Sequence, residues 1–237
     1  MSAAGARRLF LPALCVVGIL VFGALGIWQV ERLAWKRDLI ARVEARVNAT
    51  PAPLPPRAIW EAIPPRDIEY RRVRMTGRFR ADADTLVDAL TERGAGYWVL
   101  TPLVTAQGMV LVNRGFVPQE SVPQSNQRRD MPPPTTITGL VRLSEPQGRF
   151  LRRNQPSQDK WYSRDVEAIA KARGLGPVAP FFIDADASRE TGGGPIGGMT
   201  VVRFRNAHLV YALTWFALAA LCVAGLVMTR RIPHIRD

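Results

Sequence analysis

The sequence predicts an α+β chain: two transmembrane helices flanking a mostly antiparallel β domain. Three observations predict it. Leu9 to Val30 is 22 residues without a charge, and Leu209 to Thr229 is 21 residues without a charge. Between them run short alternating segments separated by glycine, proline and polar turns. A single stretch with helical period, 164–174, interrupts those segments.

Each apolar run is long enough to cross a hydrocarbon core of about 30 Å at ~1.5 Å per residue. A soluble helix of that length would carry a polar face, and neither run does. The first run is longer than the roughly 7–15 apolar residues of a signal peptide. It ends in Trp28 and Gln29 and then Glu31 and Arg32, which reads as a retained anchor. The resulting division is a tail (1–8), a first span (9–30), a β-rich domain (31–208), a second span (209–229) and a second tail (230–237). Arg7 and Arg8 mark the first tail; Arg230, Arg231 and Arg236 mark the second. Short basic tails on the same side read as cytoplasmic, and a long connection translocates largely regardless of its charge. The 178 residues between the spans are therefore expected on the periplasmic side of a bacterial inner membrane. Ala220 and Ala224 offer a small-xxx-small pair in the second span, and Gly18 and Gly26 share one side of the first.

The formal net charge is +12, and all but three of the 32 basic residues are arginine. The arginines are scattered, with no basic run interleaved with stacking aromatics, so nucleic acid is not an expected partner. Attraction to anionic headgroups accounts for part of the excess. Cys15 and Cys222 both lie inside spans, and there is no CxxC. That argues against copper handling, which favours thiolate and thioether ligands.

Along the chain, 31–47 keeps helical spacing and continues the first span into water. The prolines of TPAPLPP (50–56) end it, and 50–66 reads as a Pro-rich extended linker. Strands are expected over 69–80, 85–90, 97–105, 109–118, 135–144, 180–186 and 200–206. AQG forms a hairpin between the third and fourth of them. The helix at 164–174 has Asp165 or Ser163 as its cap and Gly174 as its close. The arrangement is an α+β or small barrel-like domain.

No catalytic constellation is present: there is no nucleophile elbow, no P-loop and no histidine pair, since His234 is in the tail far from His208. The chain is not expected to be an enzyme. His208 is the informative residue, because it begins the second span directly after the glycine-rich stretch 192–198. On a helix, His208, Tyr211, Ala212 and Trp215 share a face, and Trp28 and Arg32 end the first span at a similar depth. With Arg203 and Arg205 nearby, this gives one imidazole, aromatic walls and cations. Such a set suits a haem, with the imidazole as axial ligand and arginines on the propionates. Read from spacing alone, the commoner occupant of such a position is an interfacial histidine within an aromatic belt.

Several blocks together resemble the surfeit locus protein one family. They are GIWQVERLAWKRDLI (26–40), EYRRVRMTGRF (69–79), VLVNRGFVP (110–118), GLVRLSE (139–145), WYSRDVEAIA (161–170), FFIDAD (181–186), and GGPIGG followed by RNAHLVYALTWFALA (205–219). They follow in order from the first span to the second. The resemblance implies a role in assembling haem-copper terminal oxidases, chiefly cytochrome c oxidase, with help in inserting haem a into the catalytic subunit. His208 would then be the iron contact, with Trp28, Arg32, Tyr211 and Trp215 around it. The implied partners are that catalytic subunit, haem a synthase and the lipid bilayer. The rival expectation is a cofactor-free scaffold that stabilises the nascent oxidase subunit.

Overall fold

The computed structural model describes residues 3–121, 133–149, 151–187, 194–199 and 206–231. The chain divides into two compact units, one formed by Met1–Arg42 with Arg203–Asp237 and the other by Val43–Val202.

The first unit is a pair of helices. α1 runs over Ala3–Val47 and α4 over His208–Arg231. Both are long and apolar enough to cross a membrane. Their large apolar side chains, such as Phe10, Leu20, Leu213 and Leu221, are exposed. An exposed sheath of this kind is stable in lipid and unstable in water. The two threonine hydroxyls of α4 bond within their own helix: Thr214 Oγ1 donates to Val210 O at 2.9 Å, and Thr229 Oγ1 to Leu226 O at 2.8 Å. In hydrocarbon there is no water to take those bonds.

The second unit contains seven strands: β1 (Ala52–Pro53), β2 (Arg72–Phe79), β3 (Thr85–Thr91), β4 (Gly94–Thr105), β5 (Gly108–Pro118), β6 (Thr135–Leu143) and β7 (Val178–Ala185). Two short helices accompany them, α2 (Pro65–Ile68) and α3 (Val166–Ala172). The strand order is β1-β2-β6-β7-β5-β4-β3, and β2 also pairs with β4. That extra pairing, Gly77–Phe79 against Leu103–Thr105, closes β2, β6, β7, β5 and β4 into a five-stranded barrel. The expected strands are found within a few residues of their predicted bounds, except 200–206, of which 200–205 lie outside the described residues. The antiparallel expectation holds for most pairs but not all: β1–β2 and β5–β7 run parallel. β5 and β7 are buried on both faces, which is why VLV and FFI are continuous apolar runs rather than alternating ones.

Inside the barrel, Val73, Met75 and Phe79 of β2 meet Leu103, Val110, Val112, Val141, Phe181 and Ile183. Leu54 and Trp60 belong to the same core. The stretch 50–66, expected as an extended linker, is thus folded onto the domain. Trp60 donates from Nε1 to Pro55 O at 2.8 Å and meets Phe181 edge-on at 5.8 Å. Gly108, at φ 134°, makes room for it, since a Cβ there would lie 2.8 Å from the indole. The prolines stop α1, but the buried apolar residues between them decide where the chain goes next. On the outside of the barrel wall, Val87, Leu100, Leu111 and Phe182 pack with Trp161, Val166 and Ile169 around α3. Asp165 caps α3 by accepting from Ala168 N at 3.2 Å, and Gly174 follows it at φ 58°, as the sequence predicts.

Candidate functional site

The helix pair contains the predicted site. Three contacts set its register. Gln29 meets His208, Phe22 stacks on Trp215 with ring centroids 5.7 Å apart, and a Cβ at Gly18 would lie 2.7 Å from Cys222 Sγ. Residue numbers fall along α1 as they rise along α4, so the helices are antiparallel. Gly18 and Gly26 both face α4, where a Cβ at Gly26 would lie 2.5 Å from the Phe216 ring. Close approach through small residues is how helices associate where lipid removes the hydrophobic drive. Ala220 and Ala224 do not take part, as both are exposed. On α4 the seam is made instead by Ala212, which is buried, with Cys222 and with Gly225, whose Cβ would sit 3.4 Å from Cys15 Sγ.

At one end of this apolar seam is a polar pair. His208 Nδ1 lies 2.8 Å from Gln29 Oε1. The amide oxygen accepts, so the imidazole donates from Nδ1, which in the neutral ring leaves the lone pair on Nε2. Gln29 is only 8% exposed, and a buried amide left without a partner would be costly. The bond therefore holds both ends: it satisfies the glutamine's amide oxygen and fixes the orientation of the ring. Metal-binding histidines are commonly oriented in this way, by an acceptor on the nitrogen that does not bind.

The remaining predicted residues take different positions. Trp215 is partly buried against Phe22. Trp28 and Tyr211 are 53% and 55% exposed. Arg32 is exposed, with its guanidinium 4.1 Å from the centre of the Trp35 ring. Arg203 and Arg205, together with Gly192 and Gly193, lie outside the described residues. Of the glycine-rich stretch, Ile196 pairs with Phe116 through two backbone bonds of 2.8 and 3.0 Å. Gly115 at φ 132° admits it, since a Cβ there would lie 2.2 Å from Ile196 O. Part of the loop is thus laid against β5.

Gln29 is the residue that sequence reasoning passed over. Its signal was available: it is a polar side chain one heptad from Phe22 in a span otherwise without polar length. What sequence could not supply was the interhelical register that brings it to His208.

A second polar cluster lies in the barrel unit. Asp184, almost wholly buried, accepts from Asn113 Nδ2 at 2.8 Å, Arg142 at 3.2 Å and Arg164 at 3.3 Å. Arg164 also pairs with Glu145 through bonds of 2.5 and 3.1 Å and stacks over Phe182 at 4.7 Å. Burial works against the charged form of Glu145, but the Arg164 hydrogen bond and charge outweigh it and hold the carboxyl below its ordinary range. Arg164 responds in kind: burial lowers its pKa, and Glu145 and Asp184 together raise it further. These bonds tie β5, β6 and β7 to the segment entering α3, which is a structural task. Beside them, an open groove of about 340 Å³ is lined by Val87, Trp98, Glu145, Arg149, Tyr162 and Arg164, among others.

Two apolar helices joined through a β-barrel domain, with one imidazole–amide pair in the helix seam, define a membrane protein whose distinctive polar chemistry sits within its anchor. The family model described as SURF1 family matches residues 16–220, and the chain belongs to that family. It is 39% identical over 230 residues to Surfeit locus protein 1 of Rattus norvegicus, covering 90% of this chain and 71% of the relative. The human protein of that name is 38% identical, covering 87% and 73%. A SURF1-like protein of Caenorhabditis elegans is 34% identical, covering 82% and 66%.

Proposed function

We propose that this chain is a membrane-anchored assembly factor for a haem-copper terminal oxidase, chiefly cytochrome c oxidase. In this reading it is not an enzyme. It holds haem a as cargo on the way to the catalytic subunit, with haem a synthase as donor, in a bacterial inner membrane and with the barrel on the periplasmic side. The observation that carries the cargo reading is the His208–Gln29 hydrogen bond, which occupies Nδ1, so that Nε2 is the ring nitrogen for a metal. Trp215, already stacked on Phe22, supplies a fixed aromatic wall. Trp28 and Tyr211 have exposed ring surface to cover a macrocycle, and Arg32 has an exposed guanidinium for a propionate. The iron supplies a coordination position for a neutral imidazole; the protein supplies the orientation.

The test is spectroscopic. The protein is purified from cells with active haem a synthesis, and its visible spectrum is recorded beside those of His208→Ala and Gln29→Leu. A Soret band in the wild type, lost in His208→Ala and displaced in Gln29→Leu, is the expected result. Wild type without a band, in a preparation that retains haem in other proteins, leaves the cofactor-free scaffold as the function. A band unchanged in His208→Ala removes His208 as the iron contact. For the assembly role, deleting the gene is expected to lower haem a in the isolated oxidase; full occupancy would refute it.

A further inference from the structure

The sheet ends on an edge that is only partly covered. β3 stands last in the strand order and pairs with no strand but β4. Asp88 N donates to Trp161 O at 2.8 Å, so the backbone of Asp88 points away from β4. Backbone groups alternate in direction along a strand, and the N–H and C=O of Leu90 therefore face the same way. Neither has a partner among the described residues, and the Leu90 side chain is 76% exposed. An unpaired edge is a template for another strand unless something blunts it. β3 holds no proline, lysine or arginine to do so.

Trp161 begins an eighth strand that does not continue. It forms a parallel bridge with Val87. The next two residues leave the line: Tyr162 N and Ser163 N both donate to Asn154 Oδ1, at 2.8 and 3.1 Å, and Ser163 Oγ donates to Glu145 O at 2.6 Å. The groove of about 340 Å³ lies here, with Val87, Asp88, Tyr162 and Ser163 in its lining. Its apolar surface includes Trp98, which is held edge-on against Phe116 at 5.9 Å. Its charges are unequal. Both lining acids are engaged, Glu145 with Arg164 at 2.5 Å and Asp88 with Arg152 at 3.8 Å. Arg149 also lines the groove, is exposed, and has no ion-pair partner among the described residues. The surplus charge is therefore positive.

We propose that this edge and groove are a docking site for an extended acidic segment of another protein. The segment takes up the line that Trp161 begins and bonds to Leu90 through its backbone. It sets an apolar side chain against Trp98 and Tyr162 and places a carboxylate on Arg149. In strand addition of this kind, main-chain bonds supply affinity and side-chain pockets supply specificity. The guanidinium makes that specificity one of charge. The open stretch of edge is short, so the contact is a weak and reversible one.

The full chain in neutral detergent micelles is titrated against a fluorescein-labelled peptide of sequence Val-Glu-Val-Glu-Val, with anisotropy as the readout and empty micelles as the blank. Saturable binding is expected. Arg149→Ala should weaken it about tenfold, the loss of one charge-assisted bond. The same peptide with lysine for glutamate should bind at least that much more weakly. Leu90→Pro removes the outward N–H at an edge, where proline is tolerated, and should weaken binding about fivefold. Near-UV circular dichroism checks that both variants keep the barrel. A peptide N-methylated along its backbone makes the same cut on the ligand and leaves the protein untouched. The absence of saturable binding overturns the proposal, as does equal binding of the lysine peptide. An N-methylated peptide held as tightly as its parent reduces the site to charge attraction and overturns strand addition. A wild type that sediments as a dimer in these micelles, and as a monomer in Leu90→Pro, gives the edge to a second copy of this chain and overturns it too.

Discussion

The helix pair and the barrel use the same residue types for opposite ends. In the barrel, leucine and valine are buried: Leu103, Val110, Leu111 and Val112 are fully enclosed. In the helix pair most leucines and valines face outward, and the interior is made by Gly18, Gly26, Ala212 and Gly225. The barrel tolerates a charged network, Asp184 with Arg142 and Arg164, because every ion has a bonded partner of opposite sign. The helix seam, among the described residues, admits one polar pair, His208 with Gln29. Where water surrounds a domain, burying apolar area drives folding and a paired charge is affordable inside. Where lipid surrounds it, close approach and satisfied polar groups are what distinguish the associated state.

The largest expected effect that would break this contrast is at Asp184. Asp184→Ala leaves Arg142 and Arg164 without their buried counter-charge and is expected to cost the barrel about 3–5 kcal/mol. Near-UV circular dichroism of the full chain in detergent, followed through thermal unfolding, checks it. An unchanged transition would mean that water reaches the arginines and the network is not an interior one.

In the helix pair the corresponding change is steric. Gly26→Leu is expected to cost about 1–3 kcal/mol by displacing Phe216, whereas Ala220→Leu, on the exposed face, should change little. The readout is a disulfide between Gly18→Cys and Cys222. The glycine's Cβ position lies 3.6 Å from Cys222 Cβ, within bonding geometry. Cross-linking should form readily, fall in Gly26→Leu and persist in Ala220→Leu.

A smaller effect is expected from Gln29→Leu, which removes the partner of His208 without opening the seam. Helix association should weaken by about 1 kcal/mol, seen in the same cross-linking assay, while any bound haem changes its spectrum by much more. A proportionate loss in both would make Gln29 a packing residue only.

The smallest effect is the response of the barrel to acid. The folded state lowers the Glu145 pKa, so its stabilisation is fully present above the ordinary glutamate value of 4.5 and is lost as pH falls through the lowered one. Solvent reaches that side chain, which keeps the contribution to about 1 kcal/mol or less. Asp84 acts in the opposite sense. Burial raises its pKa despite its bond from Thr101, so protonating it favours the fold. In Glu145→Gln the loss of stability on acidification should be flatter than in the wild type.

Much of the architecture was legible because it rests on local periodicity. The uncharged runs, the alternation in β2, the two-sided apolar run of β5 and the cap at Asp165 are each decided by residues within a few positions. Folding of 50–66 onto the barrel was not legible. TPAPLPP looks like any linker until a partner exists for Leu54 and Trp60. Barrel closure was likewise hidden, since Gly77–Phe79 and Leu103–Thr105 are ordinary strand ends in sequence.

At the candidate site, the sequence by itself determined that His208 begins an apolar helix among aromatic and basic residues, and that Gly18 and Gly26 share a side. Only the tertiary structure decided which polar group meets the imidazole. Trp28, Gln29 and Arg32 lie within little more than one turn, and any of them could have faced α4. A rotation of about 100° per residue separates neighbours, so the choice among them belongs to the interhelical register. That register is set by Gly18 against Cys222 and Phe22 against Trp215, contacts between residues about two hundred positions apart.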